Sequence, residues 1–138
     1  MGTLIEYRKM PDRQAVYRLI IYSKAISEID NQAITVNRLI ATELVVFEPK
    51  HRTIKLEKCF VKALELLPEQ PLIKDIDVLF NPMYKIDVMK MLSSAYKQKK
   101  FSLVWPGTYA DGKLIYSEEG CLDYRVYEIK DYDIMYVI

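Results

Sequence analysis

Phe101-Ser102-Leu103-Val104-Trp105-Pro106-Gly107 is the stretch whose reading decides the fold. Residues 101–105 are continuously apolar apart from one serine, which suits a short strand buried on both faces. Pro106 removes a backbone N–H and Gly107 permits a turn, so the strand stops there. Upstream, Ile86, Met89, Leu92 and Tyr96 fall on one helical face, and Lys97, Lys99 and Lys100 close that helix at the negative end of its dipole. A helix delivering the chain into a buried strand is half of a parallel β-α-β unit, and the question is how often the chain repeats it.

Moving towards the N-terminus, the same alternation recurs. Asn81-Pro82 is a helix-start signal, and residues 72–80 (LIKDIDVLF) read as a strand with Asp75 and Asp77 near its middle. Residues 51–67 predict a helix with Leu56, Phe60, Leu64 and Leu67 on one face and Arg52, Lys55, Lys58 and Lys62 along another. Residues 33–37 predict a strand, 38–47 a helix that Pro49 ends, 16–22 a buried strand, and 24–30 about two helical turns capped by Ser23. The expectation is an α/β domain with a mostly parallel sheet and flanking helices.

After Gly107 the texture changes. Asp111-Gly112 is a hairpin dipeptide, residues 113–117 and 124–129 alternate like strands, and 134–138 is a final apolar strand. Six of the eleven tyrosines lie between Tyr109 and Tyr136. The chain therefore divides, on this reading, into an N-terminal arm (1–12), an α/β core (13–107) and a Tyr-rich antiparallel β-extension (108–138), all within one domain of 138 residues.

Bulk properties narrow the function. Twenty basic and nineteen acidic residues leave a formal charge of +1, so binding to nucleic acid requires a local basic patch. Cys59 and Cys121 form no C-x-x-C pair, and no apolar run approaches the roughly 20 residues of a membrane span, which points to a cytoplasmic, non-membrane protein. Position 6 is Glu, so the myristoylation pattern fails after Gly2.

Two features look towards a nucleotide site. Lys24 follows a predicted strand where a P-loop ATPase places its phosphate-binding lysine, and Asp75 and Asp77 lie where such a protein holds acidic groups for magnesium and catalysis. Alternate residues of a strand share a side, so that pair is placed either to hold a metal or simply to line a strand end. Against a working site stands the glycine count. A phosphate cradle needs glycines for its backbone N–H groups to close on the ligand, and the four glycines are at 2, 107, 112 and 120. Only residues 23–32 separate the first two predicted strands, too few for a phosphate loop plus a full helix. The sole histidine, His51, has no nucleophile placed beside it in sequence. The basic helix face and the lysines at 97, 99 and 100 suit either solvent or a nucleic-acid backbone. From Asp111 onward seven acidic residues stand against three basic, an asymmetry that suits docking between subunits.

The order of features over residues 16–136 resembles the BrxF family, small P-loop-type proteins of type III bacteriophage-exclusion (BREX) operons. The stretches that carry the resemblance are AITVNRLIATEL, DIDVLFNPMYKIDVMKML, FSLVWPG and GKLIYSEEGCLDYRVY. It implies a P-loop-ATPase-like scaffold, here without its phosphate loop, with Asp77 at the catalytic-carboxylate place and Lys74 where a magnesium-binding acid is expected. The implied role is a non-catalytic adaptor of an anti-phage complex, with other defence proteins or a second copy as partners. Its expected surface comprises the basic helix face together with Trp105, Tyr109, Tyr116 and Tyr124. No cofactor is expected on this reading. The alternatives are a divergent NTPase using ATP and magnesium through Lys24, Asp75 and Asp77, and a nucleic-acid module using Arg52, Lys55, Lys58 and Lys62.

Overall fold

The computed structural model describes residues 1–138, the side chain of Gln14 excepted. In chain order its regular elements are β1 (Thr3–Ile5), β2 (Leu19–Tyr22), α1 (Ser27–Gln32), β3 (Ile34–Thr35), α2 (Asn37–Leu44), α3 (Arg52–Glu65), β4 (Leu72–Lys74) and α4 (Val88–Gln98). They continue with β5 (Ser102–Val104), β6 (Thr108–Ala110), β7 (Lys113–Tyr116), β8 (Arg125–Glu128) and β9 (Ile134–Val137). Six strands form one sheet in the order β1-β9-β2-β5-β4-β3, every pair parallel, and β6-β7-β8 form a separate antiparallel sheet.

The unbroken apolar runs follow from the layering, because a parallel sheet covered on both faces needs apolar residues at every strand position. Leu19 and Ile21 of β2 face a core built with α2, α3, α4 and the small sheet. Ile20 and Tyr22 point the other way, against Ile29 of α1 and against Tyr7, Met10 and Val16 of the N-terminal segment. β5 lies between β2 and β4 with all three residues buried. The expectation of a buried strand in residues 101–105 holds.

Several boundaries differ from the sequence reading. The strand predicted over 72–80 ends at Lys74: Asp75 adopts the left-handed conformation (φ 58°), which aspartate tolerates, and Asp77–Phe80 is a 3-10 turn. Asp75 and Asp77 therefore do not alternate along one strand. Asn81-Pro82 does start a helical turn, with Asn81 Oδ1 accepting from Met83 N, but that turn stops at Lys85 (φ 41°). The longer helix α4 begins at Val88, capped by Asp87, whose carboxylate accepts from Lys90 N at 3.0 Å. Ile86 lies outside it.

Ser23 is not a helix cap either. Its Oγ accepts from Ala25 N at 3.2 Å, closing a local turn, and α1 starts three residues after Lys24.

The largest revision concerns the C-terminus. Residues 134–137 leave the antiparallel region and enter the parallel sheet, pairing with β1 on one side and β2 on the other. Their continuous apolar pattern is that of a doubly buried strand, unlike β7, where Leu114 and Tyr116 are buried while Lys113 is exposed. The first twelve residues likewise supply an edge strand. The division at residues 12 and 107 thus cuts across the sheet, and the antiparallel sheet is an insertion in the crossover from β5 to β9. Asp111 (φ 49°) and Gly112 (φ 77°) make its first hairpin turn, as the sequence predicts.

Among the described residues no helix is long and apolar enough to cross a membrane.

Candidate functional site

In an open parallel sheet, ligands are bound outside the carboxyl ends of the strands. Here that edge is formed by the ends of β2, β5 and β4, and it brings Lys24, Trp105, Asp75 and Asp77 to the same side of the molecule.

The segment after β2 is a tight turn in which the amides of Ser23, Ala25 and Ile26 are already committed. Ser23 N donates to Val137 O at 2.8 Å, Ala25 N to Ser23 Oγ at 3.2 Å and Ile26 N to Ser23 O at 3.1 Å. A phosphate loop works by the opposite arrangement, with successive N–H groups turned towards an anion. Lys24 is exposed and its Nζ donates to Pro106 O at 3.3 Å, so it ties the end of β2 to the end of β5.

Beyond β5 the edge is filled by aromatic side chains. Trp105 continues the strand, its N–H donating to Tyr22 O at 2.9 Å, and its indole is completely buried. The indole N–H is shared between Thr108 O and Ile115 O, both at 3.2 Å. Phe80 and Tyr127 meet the ring edge-on at 5.8 Å and 6.1 Å, and Phe80 is stacked on Tyr116 at 3.8 Å. Trp105 and Tyr116 are therefore interior residues, which corrects their expected place on an interaction surface. Tyr109 and Tyr124 are half-buried, and Tyr109 stacks on Tyr136 at 5.3 Å while its hydroxyl accepts from Gly112 N. The tyrosines of this region mostly face inwards because the small sheet has one face on the core, and an amphipathic ring suits that boundary.

The acidic groups are spread over different tasks. Asp77 accepts from Tyr116 Oη at 2.7 Å and from Asn37 Nδ2 at 3.4 Å, while Asn37 Oδ1 accepts from Val78 N at 2.9 Å. This cluster fastens β7 and the 3-10 turn Asp77–Phe80 to the first turn of α2. Burial, reinforced by the Asp77 carboxylate, pushes the Tyr116 hydroxyl well above its ordinary value, so it stays a donor. Lys74 turns away to Asp30, donating to its carbonyl at 2.9 Å with the carboxylate at 3.5 Å. Asp75 is exposed on its left-handed turn. A shallow, open groove beside Asp77 is lined by Asn37, Arg38, Asn81 and Asp123. Among the described residues no group of three His, Cys, Asp or Glu side chains stands where it would hold a metal ion.

The predicted basic face of α3 is likewise divided. Arg52 Nε donates to Leu44 O at 3.2 Å and Phe47 O at 3.0 Å, closing the end of α2, and Lys55 lies 5.6 Å over the Phe47 ring. Lys58 and Lys62 are exposed, but Glu57 and Glu65 line the same groove. Arg52 is therefore a structural cation, and the face is of mixed charge. His51 is exposed in the turn before α3.

The chain matches no family model, no curated protein and no solved structure. The site has to be read from its own geometry. That geometry is a closed, cross-braced edge, and its tightest polar link is testable: Tyr116→Phe removes the 2.7 Å bond to Asp77 and should lower stability by about 1 kcal/mol in urea denaturation. An unchanged midpoint would show that water replaces the hydroxyl without loss.

Proposed function

We propose that this protein is a non-catalytic adaptor built on an ATPase-like parallel sheet, acting through protein partners in a complex of the BREX anti-phage kind. The observation that carries the non-catalytic part is the state of the strand-end edge. The turn at residues 23–26 spends the amides of Ser23, Ala25 and Ile26 on itself and on Val137, and the neighbouring space is occupied by Trp105, Phe80 and Tyr116. The ATPase-like part is supported by the placement of β2, whose following turn carries Lys24, with only β5 between it and β4, whose end leads to Asp75 and Asp77. The defence role rests on the resemblance carried by residues 16–136.

On this reading the sheet supplies a rigid body, and partners engage its exterior. Co-expression with the products of the neighbouring genes, followed by size-exclusion chromatography with light scattering, should give a complex of defined mass. Elution of the chain alone from every pairing would overturn the adaptor role. Calorimetric titration with ATP and magnesium should give no saturable heat, and binding that disappears in Lys24→Ala would replace the adaptor by the NTPase.

A further inference from the structure

The opposite edge of the same sheet carries a feature that the strand-end site does not explain. At the amino ends of β2 and β5, two cavities of about 180 Å³ and 290 Å³ share Tyr17, Arg18, Tyr96 and Lys100 in their linings, so they form one cleft. Arg13 lies in the wall of the first and Lys97 in the wall of the second. Four cations thus face it, from the segment before β2 and from the end of α4, against one carboxylate, Asp133, which sits 3.8 Å from Arg18.

The cations alternate with aromatic rings. Lys100 Nζ lies 5.9 Å from the Tyr17 ring centroid and 5.4 Å from that of Tyr96. Tyr17 is 83% exposed, which makes it an apolar ring held in water beside a basic cleft. Arg18 is braced from behind, donating to Met1 O at 2.8 Å and Thr3 Oγ1 at 2.6 Å, and Arg13 leans on the buried Ser102 at 3.5 Å. Arg18 is therefore held in place before any ligand arrives.

A cleft for an acidic peptide needs only the charges. An exposed ring beside a line of cations fits a ligand with both a repeating phosphate and a flat base, and only a single strand leaves its bases free to stack on such a ring. We propose that this cleft binds single-stranded nucleic acid, with phosphates along Arg13, Arg18, Lys97 and Lys100 and a base stacked on Tyr17. It is independent of the adaptor reading and lies on the opposite edge from the Lys24 turn.

The test is fluorescence anisotropy of a labelled single-stranded oligothymidylate titrated with the full chain over a range of salt. Binding should weaken with salt at a logarithmic slope of about −2 to −3, from roughly 0.7 per phosphate for three or four contacts. Tyr17→Ala should weaken binding by at least about fivefold, and Tyr17→Phe, which keeps the ring, should restore it. Lys97→Ala with Lys100→Ala should reduce the slope by about 1.4. Asp133→Asn should tighten binding, and Lys58→Ala with Lys62→Ala on α3 should leave it unchanged. The substituted positions are all exposed side chains, so thermal melting of each variant should match the parent. Absence of binding at low salt overturns the proposal. So does indifference to Tyr17→Ala combined with equal competition by polyglutamate, which would make the cleft a charge-only site for an acidic protein. Loss of binding in the α3 variant would move the nucleic acid to that helix and overturn it as well.

Discussion

Gly107→Ala is expected to cost at least about 3 kcal/mol, well above what a methyl group costs at an open turn glycine. A Cβ built on Gly107 falls 1.8 Å from Ile115 O and 2.9 Å from the Trp105 indole nitrogen. The obstacle is backbone of β7, held in the small sheet by pairing on both sides, so it cannot yield as a side chain would. Relief requires the small sheet to move off the end of β5, and that motion breaks the indole's bonds to Thr108 O and Ile115 O. The comparison is Gly112→Ala. Gly112 has φ 77° with open space where its Cβ would go, so alanine there carries only the left-handed penalty of about 1 kcal/mol. Urea unfolding of the two variants separates the explanations. Equal midpoints would mean that Gly107 serves as an ordinary turn residue and that the close approach is not what fixes it.

The same glycine shows where the sequence was legible and where it was not. Residues 101–107 read correctly as a buried strand with an abrupt end, because continuous apolarity and Pro-Gly punctuation are local signals. The reason for Gly107 is not local. It answers to Ile115, eight residues on, and only the packed structure reveals it. Residues 72–80 failed for a related reason: LIKDIDVLF fits a strand pattern throughout, and a single left-handed Asp75 converts its second half into a turn. The parallel sheet, the basic end of α4 and the Asp111-Gly112 hairpin followed from period and composition. The insertion of β9 between β1 and β2 did not, since strand order is set by long-range pairing.

Site residues divide in the same way. Lys24, Asp75 and Asp77 were found as residue types in a familiar order, yet the hydrogen bonds give them separate partners. Arg52 looked like one of four equivalent cations until its two carbonyl acceptors were in place. The cleft at the amino edge was missed because its walls come from residues 13–20, 70, 93–102 and 133, segments that lie far apart in the sequence. A signal was present all the same. Tyr17-Arg18 interrupts the front of an apolar run, and a residue pair that breaks a buried-strand pattern marks where the strand has not yet begun.

Buried tyrosines on β7, β8 and β9 make the fold sensitive to alkali. Burial raises the hydroxyls of Tyr116, Tyr127 and Tyr136 above their ordinary value of 10.0, that of Tyr127 to about 12, and the neighbouring carboxylates Asp77 and Asp87 push the first two further. In the unfolded chain these groups lose their protons near pH ~10. Between that pH and the folded value, the native state holds protons that the unfolded state has released, so stability must fall as pH rises. The contribution is complete below about pH 10 and is lost above it, at about 1.4 kcal/mol per pH unit for each group that titrates only on unfolding. Each group contributes only between pH ~10 and its own folded value, and their losses add against a total stability of roughly 5–15 kcal/mol. Urea midpoints measured from neutral pH to the alkaline limit should therefore stay level and then drop steeply, with phenolate absorbance appearing together with the loss of ellipticity. Tyr127→Phe should make the drop shallower by about one group's share. A midpoint that declines no faster in the parent than in this variant would mean that Tyr127 ionises in place, and that the small sheet opens without releasing the core.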